Sequence, residues 1–403
     1  MFYRVIPNFY FCFKIRSINY GLSFQVQPNL SKLLMLRGDE LVVNEHSLVG
    51  SGAFGSVYRG EWRPSTKEQR ELLQSLLQPS QSSDGSSILE NGTCSGSSTE
   101  TDRLLSSSNP GAVDVAIKVL HTGATELGEF LEEARMMASV RHKNCVPLLG
   151  VCVGGMLPPL QGARCLVSPY VPLGSLDKYL EKHRREISGE TLLNWCRQIA
   201  DGMSHLEGLG VIHRDLASRN VLVESVDRVQ LTDFGLARML SSPKEDSEME
   251  IRSGRVPIRW LAIETLRFAK YSPKTDVWAY GVTLWEIFTF GKRPYADIAT
   301  ESISQHVLAG GRLSQPDVCT IELYQVMLSC WDEDPKRRPS FQMLFEIFSR
   351  FFKNPYQYVH RKSVSSSTPS DLSRNSLQHS AMALTNPLYL DGPGPGSYVL
   401  PIL

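Results

Sequence analysis

The chain has 403 residues, more than one compact hydrophobic core usually holds, which favours two lobes with appendages. Lysine and arginine together number 42, as do aspartate and glutamate, so the net charge is zero and no excess of basic residues argues for a nucleic-acid partner. Eight scattered cysteines form no Cys-x-x-Cys pair, which favours thiols in a reducing compartment over zinc ligands or disulfides.

Composition divides the chain into three regions. Residues 1–40 form an aromatic and then leucine-rich leader, residues 41–353 have a globular texture, and residues 354–403 are rich in Ser, Pro and Gly, as in a disordered tail. One interruption, at about 64–111, is rich in Ser, Gly, Asn and Thr. We expect this interruption to be a disordered insert, in which only Glu68–Gln78 has helical spacing of leucines.

Strand-like runs come first in the globular region, and helical patterns follow. The expected strands are Leu41–Val49, Ser56–Glu61, Val113–Leu120 and Cys165–Pro169, with one helix near Glu126–Val140. The later helices are expected at Thr191–Leu209, Thr275–Phe290, Ser302–Ala309 and Ile321–Trp331. This order predicts an α+β fold with a small antiparallel β-sheet lobe at 41–170, a mainly helical lobe at 171–353, and a ligand cleft between them.

A glycine-rich pattern lies between the first two expected strands. Gly50, Gly52 and Gly55 form G-x-G-x-x-G, and glycines let backbone N–H groups approach phosphate oxygens closely. A dinucleotide-binding turn or an ordinary hairpin could show the same pattern. A dinucleotide site would continue into a helix, however, whereas a strand-like pattern resumes at Ser56 and Val57. The context favours a glycine-rich lid over ATP.

Lys118 ends the apolar run Val115–Lys118, where an unpaired ammonium would be costly to bury. The helix that follows carries Glu133 beside its apolar face, with Glu132 as the less favoured alternative. We expect a Lys118–Glu133 ion pair that holds the ammonium against the α- and β-phosphates of ATP.

The most specific motif is His213-Arg-Asp215-Leu-Ala-Ser-Arg219-Asn220, with Asp233-Phe-Gly235 further along the chain. Asp215 is the candidate base for an attacking hydroxyl, and Arg219 neutralises charge beside it or braces the loop. Asn220 and Asp233 offer the hard oxygen ligands that Mg²⁺ prefers. Any one aspartate could be a helix cap or a solvated loop residue. The complete ordered set excludes that explanation.

Taken together, these motifs resemble the eukaryotic protein kinase family over about residues 41–353. The resemblance implies the bilobal kinase fold, ATP and Mg²⁺ as cofactors, and proteins as substrates. It also implies a gatekeeper at Ser168, a hinge amide at Val171, and Ala116 and Leu222 on either side of the adenine ring. Val57, at the end of the glycine-rich pattern, belongs to the same nucleotide-binding set.

The resemblance also implies roles for residues outside the nucleotide site. Asp276 corresponds to the buried carboxylate that anchors the catalytic loop, and Glu264 to the partner of Arg338 in a structural ion pair. His213, Phe234 and Met137 correspond to stacked residues that link the two lobes. All of these residues are expected to stabilise the structure rather than to take part in the reaction.

Two segments indicate that the acceptor is tyrosine. Ala217 stands where kinases for serine or threonine usually carry lysine, with Arg219 following, and Val256–Trp260 resembles the tyrosine-kinase segment in which a proline supports the phenol side chain. Ser/Thr specificity is the alternative, and Ala217, Arg219 and Pro257 argue against it. A second alternative is a pseudokinase that activates a partner as a scaffold. Pseudokinases usually replace the base or the metal aspartate, and both are present here.

Further segments resemble the epidermal growth factor receptor (ErbB) kinases, namely Gly50–Val57, Leu192–Cys196, Val256–Trp260, Cys319–Tyr324 and Cys330–Trp331. Leu33–Leu36 resembles the juxtamembrane latch of those receptors. The resemblance implies a cytoplasmic enzyme, at the inner face of the plasma membrane if the chain is part of a receptor. It also implies a kinase–kinase dimer in which one helical lobe docks on another strand lobe.

The tail carries two short docking motifs. Asn386-Pro-Leu-Tyr389 has the turn form that phosphotyrosine-binding (PTB) domains read, and Tyr398 could bind an SH2 domain once phosphorylated. We therefore expect adaptor proteins as partners at Tyr389 and Tyr398.

Overall fold

A computed structural model describes residues 33–52, 55–77, 111–120, 127–154, 162–234 and 257–360. Within these ranges the side chains of six residues are not described: Glu45, Leu76, Leu77, Glu129, Glu132 and Glu133. The motifs at Gly235, Tyr389 and Tyr398 and most of the insert lie outside the described residues. In the described part of the chain, no helix combines the length and apolarity needed to cross a membrane.

The strand lobe is built on one six-stranded sheet. Its strands are β1 (Met35–Leu36), β2 (Leu41–Gly52), β3 (Gly55–Trp62), β4 (Val113–Leu120), β5 (Gly150–Val153) and β6 (Arg164–Pro169), in the order β1-β5-β6-β4-β3-β2. All neighbouring pairs are antiparallel except β1 and β5, which run parallel. The four expected strands are confirmed to within three residues at each end, and β1 and β5 were not predicted.

Alternation along the central strands separates the two faces of this sheet. Val115, Ile117, Cys165 and Val167 are fully buried on one face, in a core that also contains Trp62. The residues between them, including Lys118 and Ala116, are half-buried on the opposite face. The helix α2 (Leu127–Ser139), predicted at Glu126–Val140, belongs with Phe130 and Met137 to the larger core that continues into the helical lobe.

The first part of the insert is a docked helix. Helix α1 (Lys67–Leu77) begins with a capping box, in which Thr66 Oγ1 accepts from the Gln69 N–H at 3.2 Å and Gln69 Oε1 accepts from the Thr66 N–H at 3.1 Å. Gln69 also donates to the buried carboxylate of Glu40 at 3.1 Å, and Leu73 packs in the outer core of the strand lobe. The helix predicted from the leucine spacing is therefore present, and its packing against the strand lobe was not predicted.

The helical lobe surrounds one helix, α6, that is buried along nearly its whole length. Its helices are α3 (Leu176–His183), α4 (Gly189–Gly208), α5 (Ile263–Phe268), α6 (Pro273–Phe288), α7 (Thr300–Leu308), α8 (Ile321–Cys330) and α9 (Phe341–Lys353). A two-stranded sheet of β7 (Val221–Ser225) and β8 (Arg228–Leu231) faces the cleft. From Thr275 to Phe288 every residue of α6 is buried, because α4, α8 and other elements pack around it. The described residues thus form the bilobal α+β kinase architecture.

Candidate active site

A buried carboxylate of α6 holds the loop that contains Asp215. Asp276 accepts hydrogen bonds from the backbone N–H of His213 at 2.7 Å and of Arg214 at 2.9 Å. Burial raises the pKa of Asp276 to about 7, against the opposing effect of these two donors. Arg214 has a left-handed backbone with φ of 66°, which costs free energy for a side chain with a Cβ. The expected anchoring of the loop by Asp276 is confirmed.

Asp215 is held from two sides by residues of its own motif. Arg219 donates to Oδ1 of the Asp215 carboxylate, and the Asn220 amide donates to Oδ2 at 2.8 Å and to the Asp215 carbonyl at 2.7 Å. The short 3₁₀ turn Ser218–Asn220 brings Arg219 and Asn220 back to Asp215. Only 9% of Asp215 is exposed, so its orientation is fixed by these donors rather than by water.

Lys118 and Asp233 form an ion pair across the cleft. Lys118 Nζ lies 2.7 Å from Asp233 Oδ2, and their side chains are 13% and 28% exposed. Asp233 has a left-handed φ of 62°, and the N–H of the preceding Thr232 donates to the Asn220 carbonyl at 3.0 Å. Five polar residues of the motifs are thereby connected, in the order Lys118, Asp233, Asn220, Asp215 and Arg219, with the Thr232 backbone as the link between Asp233 and Asn220. The expected partner of Lys118, the Glu133 carboxylate, lies outside the described side chains.

Two of the three residues expected to link the lobes are in ring contact. His213 and Phe234 have ring centroids 6.4 Å apart in an edge-to-face arrangement, and both side chains are buried. Burial lowers the pKa of His213, so the ring is neutral at physiological pH. Met137 of α2 belongs to the same buried core as Phe234, which connects the helix of the strand lobe to the catalytic loop.

Five expected nucleotide-binding positions lie side by side on the cleft face of the sheet. Strand register places Gly50 opposite Val57, Val57 opposite Lys118, and Ala116 opposite Ser168. Because directly paired residues point to the same face and residues two apart share it, these side chains form one surface. Gly52 pairs with Gly55 at the end of the same hairpin. At Gly55, φ is 154° and an added Cβ would lie 2.2 Å from the Val119 carbonyl oxygen, so only glycine fits.

The remaining two positions, Val171 and Leu222, are connected through the turn after β6. The Gly174 N–H donates to the Val171 carbonyl at 3.3 Å, and the Gly174 carbonyl accepts from the Val223 N–H at 2.9 Å. Leu222 is bridged to Ser175. The hinge and β7 are therefore fixed to one another at the cleft edge.

Sequence reasoning missed Glu286, a buried carboxylate beneath the catalytic loop. It accepts from the Ser218 N–H at 3.0 Å, from Ser218 Oγ at 2.7 Å and from Trp260 Nε1 at 3.0 Å. Burial raises the pKa of Glu286, partly offset by these donors. The sequence does indicate this residue. Glu286 is the one acidic residue in the apolar run Val277–Phe288, and a buried charge requires hydrogen-bond or charged partners.

The segment expected to receive the acceptor side chain is anchored to the helical lobe. Arg259 is buried, and its guanidinium donates to the carbonyls of Pro294 at 2.8 Å and Tyr295 at 2.6 Å. Trp260 lies against the Arg219 guanidinium, whose carbon is 4.3 Å from the centre of the Trp260 ring. The segment Pro257–Trp260 therefore adjoins the catalytic loop.

Comparisons with known proteins agree with this arrangement. A family model described as protein tyrosine and serine/threonine kinase matches residues 94–348. Receptor tyrosine-protein kinase erbB-4 of Homo sapiens is 39% identical over 334 residues, covering 82% of this chain and 22% of that protein. Epidermal growth factor receptor of Apis mellifera is 37% identical over 336 residues (83% and 22%), and erbB-2 of Rattus norvegicus is 36% identical over 348 residues (85% and 24%).

The chain thus spans about a quarter or less of the length of these curated relatives. The motifs, their arrangement in the cleft and the family match lead to the same result. The chain belongs to the protein tyrosine and serine/threonine kinase family.

Proposed function

We propose that the chain is an active protein tyrosine kinase, which transfers the γ-phosphoryl group of ATP to tyrosine hydroxyls of proteins. The observation that carries this proposal is the Asp215 carboxylate, which is held between Arg219 and Asn220. The Asn220 carbonyl also accepts from the N–H of Thr232, the residue before Asp233, whose carboxylate pairs with Lys118. A scaffold that only binds a partner has no need for a base oriented in this way.

The residues present fit ATP with Mg²⁺. Asn220 donates to two oxygens of Asp215, which turns its amide oxygen away from the base, and Asp233 offers a partly exposed carboxylate. Among the described residues no cluster of three or more Asp, Glu, His or Cys side chains could form a metal cage. Magnesium commonly binds one or two protein oxygens together with substrate phosphates, so Asn220 and Asp233 suffice. Bound there, the ion would neutralise charge on the phosphates.

The chain's own residues have separate roles in the proposed reaction. Lys118, now paired with Asp233, would hold the α- and β-phosphates, with Glu133 as its expected partner in α2. Gly50, Gly52 and Gly55 would cover the phosphates with backbone N–H groups. Asp215 accepts the hydrogen bond of the tyrosine hydroxyl, orients its oxygen towards the γ-phosphorus and receives its proton.

The substitution Asp215→Asn tests the proposed base. We expect the rate of phosphorylation of a Glu/Tyr copolymer to fall by about 10²- to 10⁴-fold, because the amide cannot accept the proton. The measurement is phosphate incorporation by purified protein with ATP and Mg²⁺. Thermal stabilisation by ATP and Mg²⁺, measured in parallel, should be unchanged, since Asp215 is not a proposed ligand of either.

Other outcomes identify the alternatives. Stabilisation by ATP without any phosphorylation in the wild type, at every protein concentration, would contradict the proposal and support the scaffold. Phosphoserine or phosphothreonine as the main product on a mixed protein substrate would instead assign the other acceptor class.

We further propose that two copies pair through α8 and the strand lobe. Ile321 and Leu328 lie seven residues apart on one face of α8 and are 60% and 40% exposed. On the strand lobe, Met35 of β1 and Leu127 at the start of α2 are 50% and 43% exposed. Exposed apolar side chains on both lobes suit an asymmetric contact, and the curated relatives named above are receptors.

Replacement of Leu328 by arginine tests this pairing. Placing a charge in an apolar contact should raise the dissociation constant of the dimer by about 30-fold, as for an interface hot spot. Sedimentation and the dependence of specific activity on protein concentration measure the effect. Val226→Arg, at a similarly exposed site on the β7–β8 turn, is the control and should behave as wild type. Identical concentration profiles for wild type and Leu328→Arg would exclude this face.

One further proposal rests on the relatives being receptors. The relatives' names place such kinase domains in receptors, so we propose that this domain acts at the inner face of the plasma membrane. PTB or SH2 adaptors at Tyr389 and Tyr398 stay a prediction.

A further inference from the structure

An unbroken line of contacts joins the proposed base to a buried carboxylate of the helical lobe. Arg219 donates to Asp215, and its guanidinium carbon lies 4.3 Å from the centre of the Trp260 ring. Trp260 Nε1 donates to Glu286 at 3.0 Å, and Glu286 accepts twice from Ser218. Because Ser218 directly precedes Arg219, these contacts close a ring.

Glu286 is the member of this ring that lies on the central buried helix. It belongs to α6, whose residues are buried from Thr275 to Phe288, and only 5% of its surface is exposed. Three donors surround its two oxygens, so neither the Trp260 indole nor the Ser218 backbone can turn without leaving a buried carboxylate poorly paired. Trp260 is thus fixed in position and orientation.

The fixed indole in turn constrains Arg219. A guanidinium is planar and binds an aromatic face by charge and by stacking, so the ring restricts its plane. The side chain of Arg219 is one-third exposed, and without the ring it would be free to move towards solvent. If Arg219 only neutralised charge near Asp215, its guanidinium would need no stacked ring, and that ring would need no hydrogen bond to Glu286.

Trp260 also ends the segment Pro257–Trp260, which is expected to support the acceptor side chain. Trp260, which orients Arg219, therefore belongs to the segment that is expected to support the acceptor side chain. The contacts on both sides of Trp260 connect acceptor placement with the orientation of the base.

We propose that Trp260 and Glu286 are positioning residues for the phosphoryl transfer, acting on Asp215 through Arg219. This inference rests on the proposed function. Neither residue needs to touch substrate or nucleotide: Glu286 fixes Trp260, Trp260 fixes the plane of Arg219, and Arg219 fixes the Asp215 carboxylate.

A double-mutant cycle tests the inference. Trp260→Leu should lower kcat by about 100-fold, the loss typical of a misplaced catalytic group, with the KM for ATP unchanged. Trp260→Phe keeps an aromatic face without the Nε1 donor, and its kcat should be about tenfold higher than that of Trp260→Leu. Because Trp260 acts through Arg219, the double variant Arg219→Ala/Trp260→Leu should be no slower than Arg219→Ala alone. Glu286→Gln, measured in the same assay, should lower kcat without changing the KM for ATP.

Controls separate positioning from folding and from the proposed function. Arg197 and Phe352 form a comparable cation–π pair away from the cleft, so Phe352→Leu should leave kcat unchanged. Losses that multiply in the double variant, or a rise in the KM for ATP as large as the fall in kcat, would overturn the inference while wild-type activity upholds the proposed function. An inactive wild type would overturn both.

Discussion

Asp276→Asn should destabilise the protein by about 3 kcal/mol and lower kcat by about 100-fold. Asp276 is 2% exposed and accepts two backbone N–H groups of the catalytic loop. Asparagine keeps one acceptor oxygen but turns the NH₂ donor of its amide towards the other N–H, which is then buried without an acceptor. Arg214, already at φ of 66°, would lose the contact that holds its backbone. Urea unfolding and steady-state kinetics measure the two effects.

The destabilisation should also depend on pH. Burial raises the pKa of Asp276 to about 7 from an ordinary value of 3.8, with Glu207 adding to this rise and Arg214 opposing it. Between about pH 4 and 7 the native state therefore binds a proton that the unfolded state has lost, so the contribution of Asp276 to stability falls as pH rises. Asparagine does not titrate, and the cost of the substitution should be larger at pH 5 than at pH 8.

A neighbouring polar residue on α6 provides the control. Thr283 is also fully buried and donates within the helix to the Ala279 carbonyl at 2.9 Å. Thr283→Val should cost about 1 kcal/mol or less, with kcat unchanged at every pH. A cost of Asp276→Asn that is equal at pH 5 and pH 8 would show that the carboxyl does not titrate in this range.

Glu264→Gln should cost about 3–5 kcal/mol in the free energy of unfolding, as expected when one partner of a buried ion pair is removed. The Arg338 side chain is 0% exposed and donates to both oxygens of Glu264, at 2.7 and 2.8 Å. Two more of its N–H groups donate to the carbonyls of Lys274 and Asp332, so the guanidinium is held by protein groups rather than by water. Glutamine keeps the volume but leaves the guanidinium charge uncompensated. The shift in the urea midpoint at pH 7 measures the loss.

An exposed ion pair shows what burial contributes. Lys67 and Glu71 of α1 are 88% and 62% exposed, with Nζ 3.5 Å from Oε1. Glu71→Gln removes the same charge as Glu264→Gln, yet it should cost no more than about 0.5 kcal/mol, and less at high salt. Similar costs at the two sites would mean that the Glu264–Arg338 pair contributes no more than a surface contact does.

The motifs of the candidate site could be recognised in the sequence because the proposed chemistry restricts residue type at each position. Asp215, Asn220 and Asp233 each need a carboxylate or an amide at fixed spacing, and the glycines need backbone freedom, so the motifs are visible in one sequence. The pairing of Glu264 with Arg338 and the anchoring by Asp276 are confirmed for the same reason. The roles of these residues in catalysis stay predictions until activity is measured.

Contacts between distant segments were harder to predict. Strand β1 has two residues, too few for any alternation, and its parallel pairing with β5 depends on a sheet edge that the sequence does not reveal. Glu286 was missed because its partners, Ser218 and Trp260, lie 68 and 26 residues away. The spacing of leucines predicted α1, but its docking uses Gln69 and Glu40, two polar residues that sequence patterns assign to the surface.

This docking has a consequence for how the sequence can change over evolution. The carboxylate of Glu40 is 4% exposed and depends on Ser65 and Gln69, which belong to the inserted segment. Loss of Gln69 alone leaves a buried charge short of a donor, and loss of Glu40 alone leaves a buried amide short of an acceptor. Substitutions at positions 40 and 69 are therefore epistatic: each is unfavourable alone and tolerable when the other has changed. The insert and the 3₁₀ turn Gly38–Glu40, which directly precedes β2, are thereby inherited as one unit.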